Sequence, residues 1–128
     1  MKIDNYREIE FRGKTKYLSR WVYGSLTDVR HKFFIDDYKD NSRVINETIG
    51  QYTGIEDKNK TKIFEGDIVL VYLQFGTKIC YIRYRDCHFE MVAVDNEKNV
   101  YLLSKSFELE VIGNVFDSLE LLEVKQWK

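Results

Sequence analysis

The chain is predicted to be all-β, with at most short helical turns, in a small antiparallel barrel or sandwich with room for a separate N-terminal β layer. Three observations predict this class. Aromatic residues form 15% of the sequence, with Tyr 9, Phe 8 and Trp 2; together with abundant Val and Ile they favour the pleated, half-buried setting of strands. Short apolar or alternating segments recur along the chain, and none is long enough, or periodic enough at 3.6 residues, to require a helix of several turns. Pro is absent, so the turns fall to Gly, Asn and Asp, which punctuate the chain evenly.

Each element follows from that pattern. The segments REIEFRG, SRWVYGSL, HKFFID and ETIGQYTG are the first four strands expected. Trp21 and Tyr23 alternate on one face of the second and are expected to pack. Asp57-Lys58-Asn59-Lys60 is a hairpin turn in which Asp57 accepts hydrogen bonds from amides two residues on, and Lys62-Ile63-Phe64 is the short return strand. Gly66 turns the chain again into Asp67 to Leu73, apolar at both parities and so expected to be buried on both faces. Thr77 to Tyr84 returns, with Cys80, Ile82 and Tyr84 on one face and Ile79, Tyr81, Arg83 and Arg85 on the other. A two-residue turn at Arg85-Asp86 would pair Cys80 with Met91 in the next strand, CHFEMVAV, which argues against a disulfide between Cys80 and Cys87. VYLL and LEVIGNVF complete the strands. Helical turns are expected at Leu103 to Phe107 and at Asp117 to Leu122, the latter with Asp117 or Ser118 as N-cap.

At 128 residues the chain fits one domain, residues 1–128, in which the polar stretch Tyr38 to Arg43 is the best junction between lobes 1–42 and 43–128. Lys+Arg 20 against Asp+Glu 21 leaves a net charge of -1, so no global field draws the protein to nucleic acid or membrane. The N-terminal residues lack the apolar run of a signal peptide, and no segment approaches a membrane span. The two cysteines are expected to be reduced, packed thiols of a cytoplasmic protein.

Few residues carry a chemical signature. Asp57, Asn59 and Thr61 alternate like calcium ligands, but the loop glycine is missing and Ile68 stands where a bidentate Glu would close the site. His31 and His88 have no partner at a metal or triad spacing, and no phosphate loop, nucleophile elbow or HExxH is present. No catalytic residue, metal or cofactor is therefore expected. Lys78, Tyr81, Arg83 and Arg85 combine aromatic and basic groups that could stack bases and track phosphates, and they are the candidate nucleic-acid contacts. The competing expectation is that Tyr81 packs and the arginines pair with acids such as Glu90. Arg30-His31-Lys32 is a second basic spot. Trp127, near the C-terminal end, is a candidate interface residue.

Four blocks carry a family resemblance: EFRGK (Glu10 to Lys14), WVYGSL (Trp21 to Leu26), INETIGQYTGIEDKNKTKIFEGDIV (Ile45 to Val69) and EVIGNVFDSLELL (Glu110 to Leu122). In order and spacing the chain resembles the YopX-like proteins of bacteriophages, prophages and some plasmids. The resemblance implies a β-rich fold, a phage or prophage setting and residence in the bacterial cytoplasm, and it implies no reaction. Relatives typically carry glycine where this chain has Lys60, which implies a left-handed backbone there. Leu70 to Leu109 follows no family pattern. The function expected is a non-catalytic accessory protein that binds a host or phage protein and could form a homo-oligomer; the alternative is a nucleic-acid-binding module in phage replication or gene control. Membrane binding is not expected.

Overall fold

The computed structural model describes residues 7–123, and these form eleven strands with two single-turn 3-10 helices. The described residues divide into two units on either side of Gly54 and Ile55.

In the first unit, β1 (Phe11–Lys14), β2 (Trp21–Val29), β3 (Lys32–Asp36), β4 (Asn41–Arg43) and β5 (Gly50–Glu56) form an antiparallel sheet ordered β4-β3-β2-β1-β5. A 3-10 turn at Asn46–Thr48 precedes β5. Inward alternation along β2 and β3 buries Val22 and Ile35, which join Val44 in a small core edged by Phe11, Leu26, Phe33 and Ile49. This places Trp21 and Tyr23 on the opposite face of β2 from Val22. Trp21 is half-buried, but Tyr23 is 44% exposed, so the expected packing role of Tyr23 is not what the structure shows; strand parity assigns the core to its neighbour. The stretch Tyr38 to Arg43 lies inside this unit, where its last three residues are β4.

β5 runs on into the second unit, and its sheet ends at β6 (Lys62–Phe64). The second sheet has the order β10-β9-β8-β7-β11, from β7 (Asp67–Leu73), β8 (Gly76–Arg85), β9 (His88–Ala93), β10 (Val100–Leu102) and β11 (Glu108–Asn114). It is open: β10 and β11 are end strands, so the barrel form of the prediction is corrected while the all-β class holds. Closure would need β10 to pair with β11, and no such pairing exists among the described strands. One face of this sheet carries the core of Ile63, Val69, Val71, Cys80, Ile82, Met91, Ala93 and Leu109. Ile68, on the other face, is also fully buried, as the two-parity pattern of β7 predicts.

Gly66 and Gly113 are among the glycines that the geometry requires. Gly66 sits at φ 93, in the region that costs a side chain energy. At Gly113 a Cβ would come within 2.4 Å of Ser118 Oγ, and β11 changes register between Val111 and Gly113, the signature of a bulge.

The β8–β9 turn differs from expectation by one residue. Asp86 and Cys87 are its central residues, at φ 53 and 68, so Cys80 pairs with Ala93 and Met91 pairs with Ile82. Two consecutive positive φ values suit the right-handed twist of the hairpin, and the shift preserves which face each β8 residue occupies. Cys80 is buried and Cys87 exposed, both as free thiols; Cys87 is therefore not a packed thiol. Near the end of the chain, Leu119–Leu122 is a 3-10 turn with Ser118 as N-cap residue. Leu103 to Phe107 is turn without helix.

Candidate interaction surfaces

The residues proposed from sequence as a basic strand face are separated by the structure. Lys78 pairs with Val71 and lies at the same parity as Cys80 and Ile82; with Tyr101 and Phe107 it borders a shallow apolar depression floored by Cys80. Tyr81, Arg83 and Arg85 occupy the opposite face, as expected, so Lys78 cannot act with them. Tyr81 is half-buried between Ile68 and Val92, its cross-strand partners. Arg83 lies opposite Glu90 on β9 and donates from Nε to its Oε1, while His88 Nε2 lies 3.1 Å from the other carboxylate oxygen. The hydrogen bond from Arg83 holds the Glu90 carboxyl below its ordinary range, against the opposing effect of burial and with help from His88. Arg83 is thus committed to an acid. Arg85 is exposed and lies 3.6 Å from Asp86. Arg30 and His31 form the β2–β3 turn at φ 54 and 67, with the His31 amide donating to Asp28 Oδ1 at 2.8 Å. Trp127 lies outside the described residues.

The buried carboxylates are used structurally. Asp57 accepts from the amides of Asn59 (2.8 Å) and Thr61 (2.9 Å) through Oδ1 and from Val111 (2.9 Å) through Oδ2. Burial raises its pKa, and the three amide donors outweigh that, leaving it below the usual value of 3.8. Asp67 accepts from the Phe64 amide at 2.7 Å. On the rim, Lys58 Nζ lies 4.4 Å from the Tyr72 ring centroid, and Tyr72 Oη donates to Glu110 at 2.7 Å. Among the described residues, no group of three or more His, Cys, Asp or Glu is placed to hold a metal, and no helix is long and apolar enough to cross a membrane.

Among the described residues, Phe75 and Tyr38 are the most exposed aromatics, at 98% and 92%, and stand singly in loops; two other exposed features combine several groups. The first is the outer edge of β10. Its inner edge is bonded to β9: Ala93 N donates to Asn99 O and Leu103 N to Phe89 O. Because bonded pairs alternate in an antiparallel ladder, Tyr101 also faces β9, and Val100 and Leu102 turn their N–H and C=O groups outward. No described strand pairs with that edge. The side chains there are apolar and accessible, Val100 at 38% and Leu102 at 63% exposure. VYLL was legible as a strand, but its edge position depends on strand order, which periodicity does not carry.

The second is the loop joining β1 to β2. Thr15 N donates to Arg20 O at 2.8 Å, Arg20 N to Thr15 Oγ1 at 3.0 Å and Ser19 N to Thr15 O at 3.2 Å, so Thr15 closes a tight loop with its backbone and its hydroxyl. Lys16 N donates to Arg43 O at 3.0 Å, tying the loop to β4. Tyr17 and Leu18 project from it, 80% and 74% exposed. The sequence signal for this loop was a run without acids, Phe11 to Thr27, bracketed by Glu10 and Asp28; segmenting it into two strands hid it.

The model of the family described as YopX protein matches residues 2–123. Curated proteins contain no match to the chain. Among solved structures, the crystal structure of protein EF1440 from Enterococcus faecalis is similar, with a TM-score of 0.55 and 23% identity over 92% of this chain and 100% of that one. Likeness at that identity concerns the fold alone.

Proposed function

Starting from the fact that this chain belongs to the YopX protein family, we propose that it is a non-catalytic accessory protein of a phage or prophage, acting in the bacterial cytoplasm by binding a protein partner. The observation that carries the proposal is the open edge of β10, where two backbone donor–acceptor pairs and two accessible apolar side chains lie together. Such an edge accepts an extended segment: main-chain hydrogen bonds supply affinity, and alternate side chains supply selectivity. An edge of three residues is short enough to resist indiscriminate pairing and still recognise a complementary strand. The non-catalytic part is supported by the commitment of Asp57 and Glu90 to structural hydrogen bonds.

Affinity capture from phage-infected bacteria, with nuclease present, tests this when the wild-type chain is compared with Leu102→Lys. The substitution places a charge on an exposed position that supports no core contact, and charged edges repel added strands. A defined protein captured by the wild type and lost from the variant supports the proposal. Equal capture by both would move the interface elsewhere, and recovery of nucleic acid alone in the absence of nuclease would replace the protein partner.

A further inference from the structure

We propose that the β1–β2 loop is a contact site for single-stranded nucleic acid, in which Lys16, Arg20 and Arg43 bind phosphates and Tyr17 stacks on a base. This goes beyond the strand-edge proposal, concerns the other unit, and does not depend on it.

The charge pattern is the first support. Across a chain of net charge -1, the segment Phe11 to Thr27 contains Arg12, Lys14, Lys16 and Arg20 and no acid. Three cations of the other unit each face an acid: Arg83 faces Glu90, Arg85 Asp86 and Lys58 Glu110. Lys16 and Arg20 are exposed, and neither side chain has a carboxylate partner among the described residues. Arg43 joins them through the hydrogen bond from Lys16 N to its carbonyl. Two exposed cations on the loop, with half-buried Arg43 adjoining it through the backbone, give a local positive charge that the protein as a whole lacks.

The second support is the exposed pair at the tip. A tyrosine and a leucine in sequence, each about three-quarters or more exposed, contribute nothing to the core of their own unit. The loop that carries them is held by four backbone or hydroxyl hydrogen bonds at its base, so little ordering entropy remains to be lost on binding. A planar aromatic flanked by cations is the combination that an unpaired strand offers to fill, since each nucleotide presents a π-face and a phosphate side by side. Leu18 is placed to lie against a neighbouring base or sugar. An acidic protein surface would satisfy the cations without giving the ring a stacking partner, and an anionic lipid surface would take both tip residues; both alternatives are separated by the test.

The test is fluorescence anisotropy of a labelled short oligothymidine with the full chain, over a salt series, alongside sedimentation with vesicles of phosphatidylserine and phosphatidylcholine. Three phosphate contacts predict a slope of log affinity against log salt of about -2, hence a loss of roughly 20-fold between about 50 and 200 mM salt. Lys16→Ala with Arg20→Ala is expected to reduce the slope to about -0.7. Tyr17→Ala is expected to weaken binding roughly tenfold and leave the slope unchanged, a split that diffuse charge attraction would not produce. Arg85→Ala, in the other unit, is expected to bind as the wild type. These side chains are solvent-exposed, and a circular dichroism melt confirms that each variant is folded. The proposal is overturned by no binding at low salt, by a Tyr17→Ala variant indistinguishable from wild type, by an Arg85→Ala loss equal to that of the double variant, or by retention on vesicles without oligonucleotide binding.

Discussion

The Asp57 carboxylate accepts a 2.9 Å hydrogen bond from the amide of Val111, 54 residues further along the chain. With Asn59 and Thr61 bonded to its other oxygen, one side chain closes the β5–β6 turn and fastens that turn to β11 where the bulge begins. Lys58 N adds a 2.8 Å bond to Leu109 O beside it.

Asp57→Ala is therefore expected to destabilise the fold by about 3 kcal/mol, since it removes a buried carboxylate that accepts three charge-assisted amide hydrogen bonds. Asp57→Asn keeps one acceptor oxygen and is expected to cost less. Urea denaturation of the three proteins checks the order; an alanine variant as stable as the wild type would remove Asp57 from this role.

The same site predicts an acid limit. Asp57 and Glu90 both have pKa values below their ordinary 3.8 and 4.5. A carboxylate whose folded pKa is depressed stabilises the native state above its unfolded pKa, and that contribution is lost as pH falls through the folded value. Melting temperature is expected to be insensitive to these groups near neutrality and to fall below about pH 4.5, with a shallower fall in Asp57→Asn. An unchanged acid profile in that variant would contradict the assignment.

Lys60 occupies the left-handed region at φ 64, the position where the family resemblance implied glycine. Lys60→Gly is expected to stabilise by about 1 kcal/mol, because a Cβ is disfavoured in that conformation. The gain in unfolded-chain freedom on placing glycine there offsets part of it. A neutral or lower melting temperature would contradict this account of the turn.

The two thiols are expected to differ sharply. Burial pushes the Cys80 thiol up to about 11, and it is fully enclosed, whereas Cys87 is exposed at the β8–β9 turn. Titration with a thiol reagent should therefore modify one cysteine in the native state and two in denaturant, and Cys87→Ser should abolish the native reaction. Two native equivalents would mean that Cys80 is reached through the depression beside Tyr101.

How far the sequence carries can be judged from particular residues. Strand type was legible because alternation reports burial directly: Ile68 and Val69 face opposite ways and both are fully enclosed, as the unbroken apolar run implied. The Asp57 turn was legible because the chemistry of Asx turns is local, but its third bond, to Val111, joins segments no local pattern connects. Tyr23 was misplaced because an aromatic reads as core at either parity, and only Val22 beside it decides the face. Lys78 was grouped with Arg83 by proximity in sequence although odd and even positions of β8 face apart. Strand order, and with it the free edge at β10, follows from long-range pairing and had no sequence signal beyond the shortness of VYLL.

The most direct measurement is amide hydrogen exchange of the chain with and without its captured protein partner. Val100 and Leu102 point their amides outward and are expected to exchange readily alone and to become protected in the complex, while Tyr101, already bonded to β9, changes little. A bound partner that leaves Val100 and Leu102 exchanging as before would contradict strand addition at β10.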